Sequence, residues 1–272
     1  MKTDSLEFWE KHSQDYKTAF EQLDELAQYL EQTESRHVFR VITTHPDMRV
    51  LDLGCGTGRW AFEFARRCKQ VVAADFSKGM VDRCRESARQ LELRNLEFRV
   101  SSIQEFRCNE QFDLIIISGV LVYLDDEELL QVLRNVKNML KPDGQVVSRE
   151  TVAIKDRVEI RKEFHRKIGD TYSATYRLAS QYERVFAEAG LTQIYANDFA
   201  PTNIPMILFR RLIPHALHDA KLARQALRLG LRLQLLADPF LVRHQWLYRP
   251  IMNRFWDIKS MLFVYGIDPR TT

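Results

Sequence analysis

The sequence predicts an α/β protein with a doubly wound, mostly parallel sheet. Three observations carry this expectation. Short apolar runs alternate with segments of helical period. The runs "VLDL", "QVVAAD" and "FDLIIIS" read as strands buried on both faces. The first of them ends in three glycines at every second position, Gly54, Gly56 and Gly58, in a chain with only 10 glycines among 272 residues.

The elements follow in order. Residues 5 to 45 read as helices, with Leu23, Leu26, Ala27 and Leu30 on one face and acidic residues on much of the other. "DMRVLDLGCG" is a strand entering a glycine turn, and "RWAFEFARRC" has helical spacing. "QVVAADFS" is the second strand, "KGMVDRCRESARQL" a polar-faced helix and "LEFRVSS" the third strand. "FDLIIISGVLVYL" is the fourth strand. "DDEELLQVLRNVKNML" is a helix whose acidic first turn suits the helix dipole. "KPDG" reads as a turn and "QVVSRE" as the fifth strand. Ligands of such sheets bind beyond the carboxyl ends of the strands, near the topological switch point, which is where the three glycines fall.

Composition sets the class. With 45% hydrophobic and 28% charged residues the chain reads as a soluble globular protein. A net charge of +3 does not argue for nucleic acid. "MKTDSLEFWEKHSQDY" has no apolar signal core, and no run reaches the roughly 18 apolar residues of a spanning helix. The cysteines at 55, 68, 84 and 108 form no C-x-x-C pair. A reducing, cytoplasmic setting without metal or disulfide framework is the expectation.

Glycine admits positive φ and lets a ligand approach the backbone closely. A strand–glycine turn–helix unit also aims free N–H groups at that ligand. The spacing is G-x-G-x-G, one residue shorter than the dinucleotide fingerprint. Asp52 lies two positions before the first glycine. Asp75 ends the second strand, where a carboxylate can take both hydroxyls of a ribose.

At these residues the chain resembles the class I S-adenosylmethionine-dependent methyltransferases of small-molecule type. "VLDLGCGTG" is similar to their D-x-G-x-G-x-G motif, and the likeness extends over about residues 45–195. The resemblance implies a Rossmann-like sheet of seven strands and S-adenosyl-L-methionine as cofactor, with S-adenosyl-L-homocysteine as product. It implies a cofactor site of Asp52, Gly54, Gly56, Gly58 and Asp75, with Phe76 beside the ribose and Met80 against the adenine. Ser102 stands where the family usually has an aspartate for the adenine amino group, and the Ile103 N–H would serve the ring. Ser118 would lie near the cofactor and Tyr123 near the reacting methyl. Val122 stands where many relatives carry histidine, which removes one base.

"FWEKHSQDYKTAF" resembles the family's aromatic lid helix, with Trp9 and Tyr16 seven residues apart on one face. The alternative is a surface helix packed through its aromatics. Arg149 and Glu150, at the end of the fifth strand, form either a substrate clamp or a solvated strand end. Downstream, the resemblance places a Tyr-Arg dipeptide, Tyr176–Arg177, near the pocket. His165 and Tyr172 precede it in a segment read as a polar helix. Tyr123, His165 and Glu150 are the candidate catalytic groups; for His165 the alternative is an exposed side chain on a polar helix.

Residues 201–272 hold 11 Lys and Arg against 4 Asp and Glu, about +7, in contrast to an acidic body. Arg224, Arg228 and Arg232 repeat at i, i+4, i+8 beside leucines. "DIKSMLFVYGI" reads as the last, antiparallel strand, so 201–255 is a helical insertion. The domains are then lid helices 1–45, cofactor-binding core 46–200, basic insertion 201–255 and final strand with tail 256–272. The insertion is a cap whose Arg224 and Arg228 clamp an anionic substrate, an amphipathic membrane contact over 215–256 at the inner surface, an RNA grip, or a helix packed on the core. The acidic body and the absence of a recognisable RNA module weigh against nucleic acid. The expected activity is in-line methyl transfer to a small or lipid-linked, anionic acceptor. Oxygen is preferred, nitrogen and carbon stay open, and a cofactor-binding interaction protein is the non-enzymatic alternative.

Overall fold

Strands β1 (Arg49–Leu53), β2 (Gln70–Asp75) and β4 (Phe112–Ser118) are buried along nearly their whole length. Such strands need cover on both faces, and this requirement builds the molecule. The computed structural model describes residues 3–12, 24–165, 170–198, 212–213, 221–243 and 258–267. Its main sheet has seven strands in the order β3-β2-β1-β4-β5-β9-β8. β3 is Leu96–Val100, β5 Leu140–Ala153, β8 Leu191–Asp198 and β9 Ile258–Ile267. The first five strands are parallel, and β9 runs antiparallel to both β5 and β8. The chain reverses its strand order between β1 and β4, so the loops after Leu53 and Ser118 flank the crevice of the switch point.

Alternate residues of each strand feed two cores. Leu51, Leu53, Val72, Ile115 and Ile117 pack under α5 (Asp126–Asn138) and α6 (Ala179–Glu188). Val50, Val71, Leu114 and Ile116 pack under α2 (Asp24–Val41) and α3 (Arg59–Ala65). The helices α1 (Thr3–Lys11) and α4 (Lys78–Gln90) complete the cover around the glycine end. Asp125 caps α5: its carboxylate accepts from the Glu128 N–H at 2.8 Å, and Glu128 reaches back to the Asp125 N–H.

Two local expectations are corrected. "KPDG" is not a free turn but the start of β5, because Leu140 pairs with Phe112 and Lys141 forms an ion pair with Asp113 at 2.8 Å. The segment read as a polar helix around His165 is a hairpin, β6 (Val158–His165) and β7 (Asp170–Tyr176). There Val158 and Ile160, and then Tyr172, Ala174 and Tyr176, recur with the period of two that suits a strand. A long helix, α7 (Lys221–Arg243), packs along α2 within the expected insertion.

Candidate active site

The first glycine is required by its neighbours. Gly54 has φ +73°, and a Cβ there would lie 2.3 Å from Val120 Cγ2 on the loop after β4. Gly56 has φ +51° and open space where its side chain would be, so the crest of the loop is bare backbone. The Gly54 and Cys55 N–H groups donate to the Ala74 carbonyl, which ties the loop to the end of β2. Asp75 follows at once. Its Oδ2 accepts from the Gly56 N–H and its Oδ1 from the Ser77 N–H, each at 2.9 Å. Burial pushes this carboxyl above its ordinary range against the pull of those two N–H groups, and Glu10 of α1 pushes it further. Asp52 is 1% exposed. Burial raises it to about 7, although it accepts from the Ala61 N–H. Its Oδ2 has no hydrogen-bond partner among the described residues.

Beside this loop opens a cleft of about 680 Å³ lined by Phe76, Ser101, Ser102 and Gln104, with Glu7 and Glu10 of α1 across it. Met80, in the first turn of α4, is 2% exposed and does not line the cleft. Ser102 is committed locally: its hydroxyl donates to Glu105 Oε2 at 3.0 Å and accepts from the Glu105 N–H. The expected hydroxyl contact to adenine therefore competes with a turn that Ser102 already caps. Ile103 is 7% exposed and belongs to the core.

Aromatic rings gather at the other side of the crevice. Leu121–Tyr123 form a single 3₁₀ turn after β4. The Tyr123 ring meets Trp9 of α1 edge-on, with centroids 5.9 Å apart. Phe8, 4% exposed, lies 5.2 Å from Trp9 and 6.5 Å from Tyr172 of β7. Tyr172 in turn hydrogen-bonds Tyr176. The helix expected as a lid thus lies over the site through Phe8 and Trp9. Tyr16 lies outside the described residues.

Residues 50–144 match the family model described as a methyltransferase domain. Over these residues the chain is similar to a methyltransferase domain. The wheat (Triticum aestivum) phosphoethanolamine N-methyltransferase 1 is 27% identical over 201 residues, which cover 71% of this chain and 37% of that protein. The chain therefore spans little more than a third of the length of that relative. The fold is shared with the DhpI–SAH complex, at 18% identity and a TM-score of 0.58 over 73% of this chain and 91% of that one. It is shared also with the [4+2]-cyclase SpnF, at 19% identity and a TM-score of 0.57 over 87% and 79%. The residues present fit S-adenosylmethionine, the cofactor that the resemblance implies. The bare crest at Gly56, the anchored Asp75 and the unpartnered Asp52 oxygen suit a ligand carrying ribose hydroxyls and an ammonium.

The methyltransferase site reassigns several sequence-predicted residues. Arg177 is fully buried and holds the loop after β4 instead of facing a substrate. Its Nε donates to Asp126 at 2.8 Å, and its other nitrogens donate to the Leu121 and Leu124 carbonyls at 3.2 and 2.7 Å. Arg149 and Glu150 do not form a clamp, because successive strand residues point to opposite faces. Arg149 pairs with Glu34 of α2 at 2.8 Å, and Arg59 binds the other oxygen of the same carboxylate. Burial pushes Glu34 up, but the two guanidiniums outweigh it and hold it below the ordinary range. Neither partner was legible: Glu34 is one acid among many on a polar helix face. Ser118 ends β4 opposite Arg149, half-buried. The His165 side chain lies outside the described residues.

Glu150 lies beneath the loop after β4 instead of at a solvated strand end. It is fully buried, accepts from the Leu121 N–H at 3.4 Å, and is raised by burial to about 8. A folded pKa above the unfolded value of 4.5 means a stabilising neutral form that is lost as pH rises. Glu150→Gln should therefore gain stability over the wild type as pH rises from 4.5 to 8, with a plateau above. Urea midpoints across that range check it, and a pH-independent difference would refute the assignment.

Arg224 and Arg228 do not stand free as a substrate clamp. Arg224 holds Glu25 of α2 through two bonds, at 3.0 and 2.7 Å, and Arg228 adds a third at 2.8 Å. Burial raises Glu25, but these guanidiniums win and hold it at about 2. The basic stripe ties α7 to α2.

Proposed function

We propose that this chain is an S-adenosylmethionine-dependent N-methyltransferase whose acceptor is a small amine bearing a phosphate or another anionic group. The observation that carries the reading is the set of rings around the crevice, Trp9, Tyr123, Tyr172 and Phe8. Ring faces attract cations, and N-methylation begins at a sulfonium and ends at an ammonium. A neutral oxygen acceptor has no such need. The preference for oxygen rested on the basic tail, and Glu25 now accounts for two of its arginines. The phosphate is suggested by the relatives named phosphoethanolamine N-methyltransferase, which are 25–27% identical.

When bound, S-adenosylmethionine supplies a methyl on a sulfonium and leaves as S-adenosylhomocysteine. The residues of this chain have the remaining tasks. Asp75 and the Gly56 crest hold the ribose end. Trp9 and Phe8 close α1 over the crevice and exclude water. An ammonium acceptor must lose one proton before its lone pair can attack. That proton passes to solvent, the Tyr123 hydroxyl is the candidate to accept a remaining N–H and so aim the lone pair, and Arg177 fixes the loop that carries Tyr123.

The test uses methyl-labelled cofactor with phosphoethanolamine, ethanolamine and a panel of phenolic and carboxylate acceptors. Labelled N-methyl product from the phosphorylated amine, lowered about tenfold or more by Trp9→Ala, is the expected outcome. Label only on oxygen acceptors would overturn the nitrogen assignment. Cofactor binding without label on any acceptor would overturn methyl transfer and favour the interaction-protein alternative.

A further inference from the structure

Helix α7 has two faces, and only one of them meets α2. On the inner face, Leu227 and Leu231 are 2% and 3% exposed and pack on Tyr29, while Gln234 donates to the Tyr29 hydroxyl at 2.9 Å. On the outer face Leu222, Leu229, Leu233 and Leu236 are 58–79% exposed. Their spacing of seven, four and three residues aligns them in one stripe about 21 Å long at a rise of about 1.5 Å per residue. Scattered exposed leucines are ordinary, but four aligned along one helix form a continuous apolar ridge.

The charge beside the ridge has one sign. Lys221 and Arg232 are exposed along its flank, and Arg228 remains more than half exposed while it binds Glu25. The whole helix carries five Lys and Arg and a single acid, Asp238. An apolar ridge with a cationic flank matches a bilayer interface, where leucines enter the acyl boundary and cations meet anionic headgroups. A second copy of the chain fits less well, since pairing the ridges would bring like charges together. Among the described residues no helix is long and apolar enough to cross a membrane. The ridge suits lying on the surface.

We propose that the outer face of α7 docks this protein on an anionic lipid surface. The ridge lies apart from the glycine loop, so docking does not depend on which acceptor is methylated, and its test reads binding instead of turnover.

The full chain would be sedimented with vesicles of phosphatidylcholine alone and of phosphatidylcholine mixed with phosphatidylglycerol. Binding should appear with the mixed vesicles and weaken in high salt. The triple variant Leu229→Ser, Leu233→Ser, Leu236→Ser and, separately, the double variant Lys221→Glu, Arg232→Glu should each lower partitioning by about tenfold or more. All substituted side chains are exposed, and a control measurement of S-adenosylmethionine binding shows whether the variants stay folded. Absence of binding to mixed vesicles, or binding unchanged in both variants, would overturn the proposal. So would a wild-type dimer in solution that the leucine variant splits, since the ridge would then be an interface between copies.

Discussion

Replacing Asp75 by alanine lowers affinity for S-adenosylmethionine by about tenfold to a hundredfold. A hydrogen bond to a charged group contributes about 1.5–3 kcal/mol, and a carboxylate can offer one to each of two ribose hydroxyls. The structure adds a second cause. Each Asp75 oxygen already accepts one backbone N–H, from Gly56 and from Ser77. A carboxylate oxygen has two lone pairs, so one on each oxygen is left for the ligand while the carboxylate is held in place. Alanine removes the ligand contacts and releases the crest of the glycine loop together. Asp75→Asn, which keeps one acceptor oxygen, should fall between the two. Calorimetric titration of the three proteins decides this, and equal dissociation constants would end the ribose assignment.

Arg177→Met destabilises the fold by about 3 kcal/mol or more. The side chain is fully buried, and its loss takes the Arg177 donor from the Leu124 carbonyl and leaves the Leu121 carbonyl only the Leu124 N–H at 3.3 Å, in a dry setting. Arg157 binds the same Asp126 through its other oxygen, but from a partly exposed position that also reaches Glu159. Arg157→Met should therefore cost less than about 1 kcal/mol. Denaturant unfolding of the two variants separates the roles. Equal losses would mean that Arg177 contributes only through Asp126 and that the loop carrying Tyr123 is held by other means.

The parts legible in the sequence were those written in local pattern. Continuous apolar runs announced buried parallel strands. An acidic first turn marked the start of α5, and the glycine spacing located the crevice. The hairpin around His165 was misread because charged residues such as Arg161, Lys162 and Glu163 hid a weak period of two. Arg177 was misread for a different reason. A Tyr-Arg dipeptide looks the same whether the guanidinium faces a ligand or three backbone and carboxylate acceptors.

The sequence by itself determined the strand–glycine–helix unit, the position of Asp75 and the amphipathic character of α7, since each depends on neighbours within a few residues. Tertiary structure alone decided where the charges go. Glu34 meets Arg59 and Arg149, Glu25 meets Arg224 and Arg228, and Glu150, raised by burial to about 8, accepts from the Leu121 N–H. A buried charge must find a partner or give up its charge, and the fold supplied that partner from as far as 203 residues away in the chain.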